Sequence, residues 1–179
     1  MIITIGGTLG SGKSTVAKLL SKKINYRHYS SGDFMRGLAE ERKISLLELS
    51  KIAEKDKSID LEIDERQIQL GRKEDNFVID GRLSFHFIPD SIKIFLDASF
   101  EERAKRILAD KIRKEHNVDL ESTKAKMKTR EESEKKRYKE YYNIDINDQN
   151  HYDLIIDTSN LTPEEVVNKI LEFIKNKNL

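Results

Sequence analysis

Five short runs, most of them rich in Ile, Val, Phe and Leu, punctuate a polar chain: IITI at 2–5, YRHYS at 26–30, FVID at 77–80, IKIFLD at 92–97 and YDLIID at 152–157. Runs of this length without polar/apolar alternation read as strands buried on both faces. Segments with helical character separate them, and strand alternating with helix implies parallel strands joined by right-handed crossovers. The expected fold class is therefore α/β: a three-layer α/β/α arrangement around a five-stranded parallel sheet. Two connections, 31–75 and 98–151, are too long for a single crossover helix and are expected to carry function. The second contains KAKMKTREESEKKRYKE, a charged run made of helix-forming residues throughout.

Length and composition bound this picture. The 179 residues, 37% hydrophobic, suffice for one domain with a buried core. The 33 basic and 32 acidic residues nearly cancel, so net charge gives no reason to expect a nucleic-acid or membrane partner. Cysteine is absent, which excludes disulfides and thiolate metal sites and fits a reducing compartment. No long apolar run or leader pattern is visible, so a soluble, cytoplasmic protein is expected, and a monomer.

The candidate chemistry begins directly after the first strand. GGTLGSGKST at 6–15 fits G-x-x-x-x-G-K-[ST] through Gly7, Gly12, Lys13 and Ser14, with a strand before it and a helix after it. Gly7, Thr8, Leu9, Gly10, Ser11, Gly12, Lys13, Ser14 and Thr15 would form a curled backbone whose N–H groups converge on phosphate oxygens, helped by the positive end of the following helix. Lys13 would bridge the outer phosphates and the Ser14 hydroxyl would ligate magnesium. The loop implies a nucleoside triphosphate but not its fate, since GTPases, ATPases and kinases all use one. The guanine-reading Asn-Lys-x-Asp segment of a GTPase is missing, and a motor or transporter ATPase usually needs more chain; a small kinase fits the size.

Three further stretches carry charge near expected strand ends. In SSGDFMR at 30–36, Ser31 or Asp33 would cap a helix whose first turn holds Arg36, a cation tolerable there if an anion lies close. NFVIDGRLS ends a buried strand on Asp80, Gly81 and Arg82, at the carboxyl edge where parallel sheets bind ligands; Asp80 can hold magnesium through water and Arg82 can fork onto a phosphate. In the charged run, Arg130, Glu134 and Arg137 share one helical face with Lys126 and Tyr141, and Glu134 would orient both arginines. A solvated salt-bridge ladder is the plainer account of that run. Its place between the fourth and fifth strands also allows a segment hinged over the phosphate loop. The four histidines, His28, His86, His116 and His151, are given no chemistry.

Taken together, GGTLGSGKST, SSGDFMR, VIDGR, KIFLDASFEERAKRI and REESEKKRY resemble the cytidylate kinases of the P-loop nucleoside monophosphate kinase superfamily, in their short archaeal-type branch, over residues 1 to about 175. The resemblance implies one kinase domain over 1–179, with a monophosphate-binding helical insert at about 31–72, a helical lid at about 108–145, and transfer of phosphoryl from ATP, with Mg2+, to CMP or dCMP. It implies Lys13, Arg130 and Arg137 as catalytic groups and Arg106 as a further ATP contact. It also implies Ser31, Arg36, Ser50, Arg82, Arg130, Glu134 and Arg137 on the acceptor, with Ser14 and, through water, Asp80 on the metal.

Leu83 and Asp60 stand where bacterial relatives carry a base-contacting aspartate and arginine. Cytosine is therefore expected to be read differently, with Asp60 or Asp64, one turn apart, accepting its exocyclic amino group. An adenylate or uridylate kinase is the alternative within enzymes; a nucleotide-dependent module gripping nucleic acid through the charged run is the alternative outside them.

Overall fold

The computed structural model describes residues 1–53, 55–110 and 119–177, with the side chains of Leu46, Leu47 and Ser50 outside the description. Five parallel strands, β1 (Ile2–Gly7), β2 (Arg27–Ser30), β3 (Phe77–Asp80), β4 (Ile92–Asp97) and β5 (Leu154–Asp157), form one sheet in the order β2-β3-β1-β4-β5. The expected runs become these strands, the second and fifth starting one and two residues later than the pattern predicts. β1 lies in the middle, which is why its Ile3 and Ile5 are fully buried.

Helices cover both faces. On one, α1 (Lys13–Lys23) and α8 (Pro163–Lys177) lay Val16, Ala17, Leu20, Val166, Val167, Ile170 and Ile174 against Ile3, Ile5, Val78, Ile94 and Leu96. Each such branched side chain removed from water contributes roughly 1.5–3 kcal/mol, enough to dock α8 although its outer face is charged. On the other face, Leu83, Phe85, Ile144 and Ile146 pack with Tyr138, Tyr142 and Tyr152, next to a cluster of Phe77, Ile79 and Ile88.

The two long connections are helical. The first holds α2 (Ser31–Glu41), α3 (Leu46–Ala53) and α4 (Lys57–Lys73), which bury Leu38, Ala39, Leu49, Ala53, Ile59 and Ile63 in a small core of their own. The cap of α2 is Ser30, whose hydroxyl accepts from the Gly32 amide, rather than Ser31 or Asp33: the last strand residue keeps the extended backbone that a cap requires. A short α5 (Ser84–Phe87) follows β3. The second connection holds α6 (Phe100–Ala109) and α7 (Leu120–Tyr142), capped by Asp119; residues 111–118 of the expected lid, His116 among them, lie outside the described residues. Because α7 is polar nearly all round, it is fastened mainly by specific contacts: Met127 and Leu120 against Leu9, Ala104 and Ile107, and the ion pairs of the site.

Candidate active site

Parallel register brings Gly7, Ser30, Asp80, Asp97 and Asp157 to the same, carboxyl edge of the sheet, and the loop after β1 rises between them. Its glycines do what only glycine can: Gly7, Gly10 and Gly12 have φ of 143°, 84° and 91°. A Cβ on Gly7 would stand 2.1 Å from the carbonyl oxygen of Leu96, so the loop can lie against β4 only with hydrogen there. Gly12 caps α1 in the left-handed conformation with no side-chain hydrogen bond, leaving the first amides of α1 to an anion.

The polar side chains of the loop are tied inward. Thr8 donates to Asp97 (2.7 Å), Ser11 to the Thr8 carbonyl (2.9 Å) and Lys13 Nζ to the carbonyls of Gly7 (3.0 Å) and Thr8 (2.6 Å). Ser14 donates to Asp80 Oδ2 at 2.7 Å; this hydroxyl beside a buried carboxylate is the donor set a hard divalent cation takes. Leu9 is buried and anchors the loop in the α6–α7 core.

Asp80 is shared more widely than the sequence suggests. His28 Nε2 lies 2.7 Å from Oδ1, and Ser30 donates to Oδ2 at 3.3 Å. His28 thus supports the carboxylate on its far side, a role for which the sequence offers no spacing signal because strand pairing creates it.

Arg106, the expected ATP contact after the fourth strand, is tied to a turn. Its guanidinium donates to Thr158 Oγ1 (3.0 Å) and to the carbonyls of Thr158 (2.7 Å) and Ser159 (3.4 Å), while Nε donates to Glu102. Its N–H groups hold the β5–α8 turn, and Thr158 Oγ1 in turn donates to the Ser11 carbonyl at 3.0 Å. The neighbouring Arg103, absent from the expected set, is the buried one: Nε donates to Ala98 O, and Nη1 to Leu9 O and to Glu131 Oε1 of α7.

Across the cleft, α7 brings its charges to β3 and α4. Glu134, 8% exposed, sits between two arginines: Arg82 Nη2 is 2.6 Å from Oε2, and Arg130 Nε donates to Oε1 at 3.0 Å. The expectation that Glu134 orients both helical arginines therefore holds for Arg130 but not for Arg137. Arg137 turns to α4, its Nε 3.4 Å from Asp60 Oδ2, because the buried face of α4 passes beside it. One turn further, the Tyr142 hydroxyl donates to Asp64 Oδ2. Thr8, Arg82, Arg103, Glu131 and Lys135 line a cleft of about 500 Å3 between β4 and α7.

Electrostatics mark the same seam. Burial raises the Asp60 carboxyl, with Arg137 working against it. Burial raises Asp64 to about 6, opposed by the Tyr142 hydrogen bond and reinforced by Asp60. Burial also lifts Tyr138 to about 12 and raises Tyr142. Among the described residues, the buried side-chain atoms without a hydrogen bond are Asp60 Oδ2, Arg82 Nη2, Glu134 Oε2 and Arg137 Nε: charges that touch off the N–H direction. They make up two ion pairs, Arg82–Glu134 and Arg137–Asp60, both where α7 meets the end of β3 and α4.

The remaining expected residues are less drawn together. Arg36 pairs with Asp33 on the exposed turn of α2 and has no described contact with Arg82. Ser31 Oγ lies 2.7 Å from where a Cβ on Gly81 would be, which explains that glycine. The side chain of Ser50 lies outside the described residues. Gln67, Ser84 and Tyr142 were not singled out by sequence; Gln67, at i+7 from Asp60, was within reach of the same helical spacing.

Residues 2–160 match the model of the cytidylate kinase-like family. The cytidylate kinase of Methanobrevibacter smithii is 42% identical over 175 residues, covering 98% of this chain and 99% of that one; that of Methanocaldococcus jannaschii is 45% identical over 181 residues, covering 98% of each. The chain belongs to the cytidylate kinase-like family. Its fold is also that of more distant solved structures. The shikimate kinase of Aquifex aeolicus aligns with a TM-score of 0.65 at 23% identity, covering 100% of this chain and 99% of that one. An uncharacterized protein of Eubacterium ventriosum reaches 0.73 at 23% identity, with 98% of each chain covered. This cytidylate kinase-like chain is accordingly a kinase with a P-loop core.

Proposed function

We propose that the protein transfers the terminal phosphoryl group of ATP to CMP, and also to dCMP, releasing ADP. The reading is carried by one observation: in a chain similar throughout to cytidylate kinases, the complete phosphate loop shares a cleft with Arg82, Arg103 and Lys135, cations suited to phosphate groups. The charged run supports an enzyme over a nucleic-acid module, because its Glu134 and Arg137 are turned inward to Arg82 and Asp60.

Lys13 and the loop amides bind the donor phosphates, and the face of Arg106 closes the donor pocket. Ser14 and Asp80 would hold Mg2+, which would offset phosphate charge when bound. Arg36 and Arg82 grip the acceptor phosphate, with Ser31 and Ser50 beside it. No general base is required, since the second ionisation of a phosphate monoester lies near pH 6. Catalysis is then alignment plus charge neutralisation by Lys13, Arg130 and Arg137. The insert at 31–72 and the lid at 108–145 act as closing units on one core. The protein works as a monomer in the cytoplasm. No described helix is long and apolar enough to cross a membrane.

The test is ADP release from ATP and magnesium with CMP, dCMP, UMP, AMP and GMP in turn. Strong stimulation by CMP and dCMP is expected. Preference for another base rejects the acceptor assignment, and no stimulation by any of the five rejects the kinase chemistry.

A further inference from the structure

Asp60, Asp64 and Gln67 stand at i, i+4 and i+7 on α4 and share one face. Asp60 is committed to Arg137. The next two are bonded on one atom each. The Tyr142 hydroxyl donates to Oδ2 of Asp64, whose Oδ1 has no hydrogen-bond partner among the described residues. The Ser84 hydroxyl donates to Oε1 of Gln67 at 2.7 Å in a fully buried contact. This fixes the carboxamide, and its Nε2 donates to no described residue although Gln67 is only 3% exposed. Neither atom is among the buried ones that lack a hydrogen bond, so each keeps some access from outside: an acceptor and a donor on two largely buried side chains stand one turn apart, each clamped from behind by a hydroxyl. Leu83 and Phe85, both buried, add apolar surface close to Tyr142. Such a pair, held in fixed orientation and open on one side, complements an edge that offers a donor followed by an acceptor.

We propose that Asp64 and Gln67 read the base of the acceptor nucleotide, Asp64 Oδ1 accepting the exocyclic amino group and Gln67 Nε2 donating to ring N3, with Tyr142 and Ser84 as positioning residues. This rests on the acceptor being a cytosine nucleotide. Cytosine offers N4–H then N3, in that order; uracil offers O4 then N3–H. Uracil would set a carbonyl against the carboxylate and N3–H against the amide hydrogens, two repulsions for the same shape. Asp60, which the sequence allowed as a base reader, becomes instead the carboxylate that aims Arg137.

Substrate analogues test this on the unaltered protein. The monophosphate of the 4-unsubstituted pyrimidin-2-one riboside lacks the amino group, and 3-deazacytidine monophosphate replaces N3 by CH. Each is expected to lose at least about tenfold in kcat/KM against CMP. Asp64→Asn and Gln67→Glu should each lower the CMP to UMP ratio by about tenfold, and together they should favour UMP. Tyr142→Phe should lower the ratio through KM with kcat nearly unchanged, an effect that a purely structural hydroxyl would not produce. Analogues used as well as CMP, or an unchanged ratio in variants that melt like wild type, overturn the proposal. If CMP does not stimulate ADP release at all, the activity reading has failed; calorimetric binding of CMP and UMP to the same variants then decides the edge reading separately.

Discussion

The phosphate loop and the α4–α7 seam are built in opposite ways. At the loop, Thr8, Ser11, Lys13 and Ser14 all have partners within the chain, and backbone conformation fixed by Gly7, Gly10 and Gly12 does the shaping. In the seam the shaping is done by long side chains from separate elements, and Asp60, Arg82, Glu134 and Arg137 touch without aligned hydrogen bonds. A site for a constant group, the polyphosphate, can be cut into the backbone. Under the proposed function the seam discriminates a base and then releases its product, a task that suits side chains able to re-pair.

That contrast can be broken at either side. The largest effect is expected at Gly7. Alanine there meets the Leu96 carbonyl and a φ of 143°, so Gly7→Ala should cost on the order of 3 kcal/mol, read as a fall in Tm of about 6–12 °C. An unchanged Tm would show that the loop is as adaptable as the seam. Next is Arg137→Ala, which should lower kcat about a hundredfold while nucleotide binding, followed by calorimetry, weakens far less. Equal losses in both would make Arg137 a binding group only.

The smallest effect sharpens the contrast by pH. The Asp64 carboxyl is raised from about 3.8 unfolded to about 6 folded, so between these values the folded state keeps a proton that the unfolded chain has lost. Stability from this group is therefore full below about pH 4, falls as pH rises through 6, and is flat above. Asp64→Asn removes the dependence, and its stability relative to wild type should climb by about 1–2 kcal/mol from pH 4 to pH 7 in urea titrations. A constant difference would mean that Asp64 is not buried as described.

The sheet was legible because strands buried on both faces leave uninterrupted apolar runs, and the phosphate loop because its spacing is a backbone requirement. What escaped were contacts made by pairing distant segments. His28 meets Asp80 only because β2 lies beside β3, and Gln67 meets Ser84 only because α4 crosses α5. Helical spacing put Arg130, Glu134 and Arg137 on one face but could not say which partner each would choose: Glu134 took an arginine from β3's end, and Arg137 an acid from α4. Arg106 was placed correctly after the fourth strand, and its hydrogen bonds went to a turn 52 residues away.

Thr158 ties together two loops that lie far apart in sequence. Its hydroxyl joins the Ser11 carbonyl across 147 residues, and Arg106 locks it there. The phosphate loop and the turn after β5 therefore keep or lose their shape together: Thr158→Val should weaken ATP binding in calorimetry with the fold intact, and unchanged affinity would show that the glycine backbone alone holds the loop.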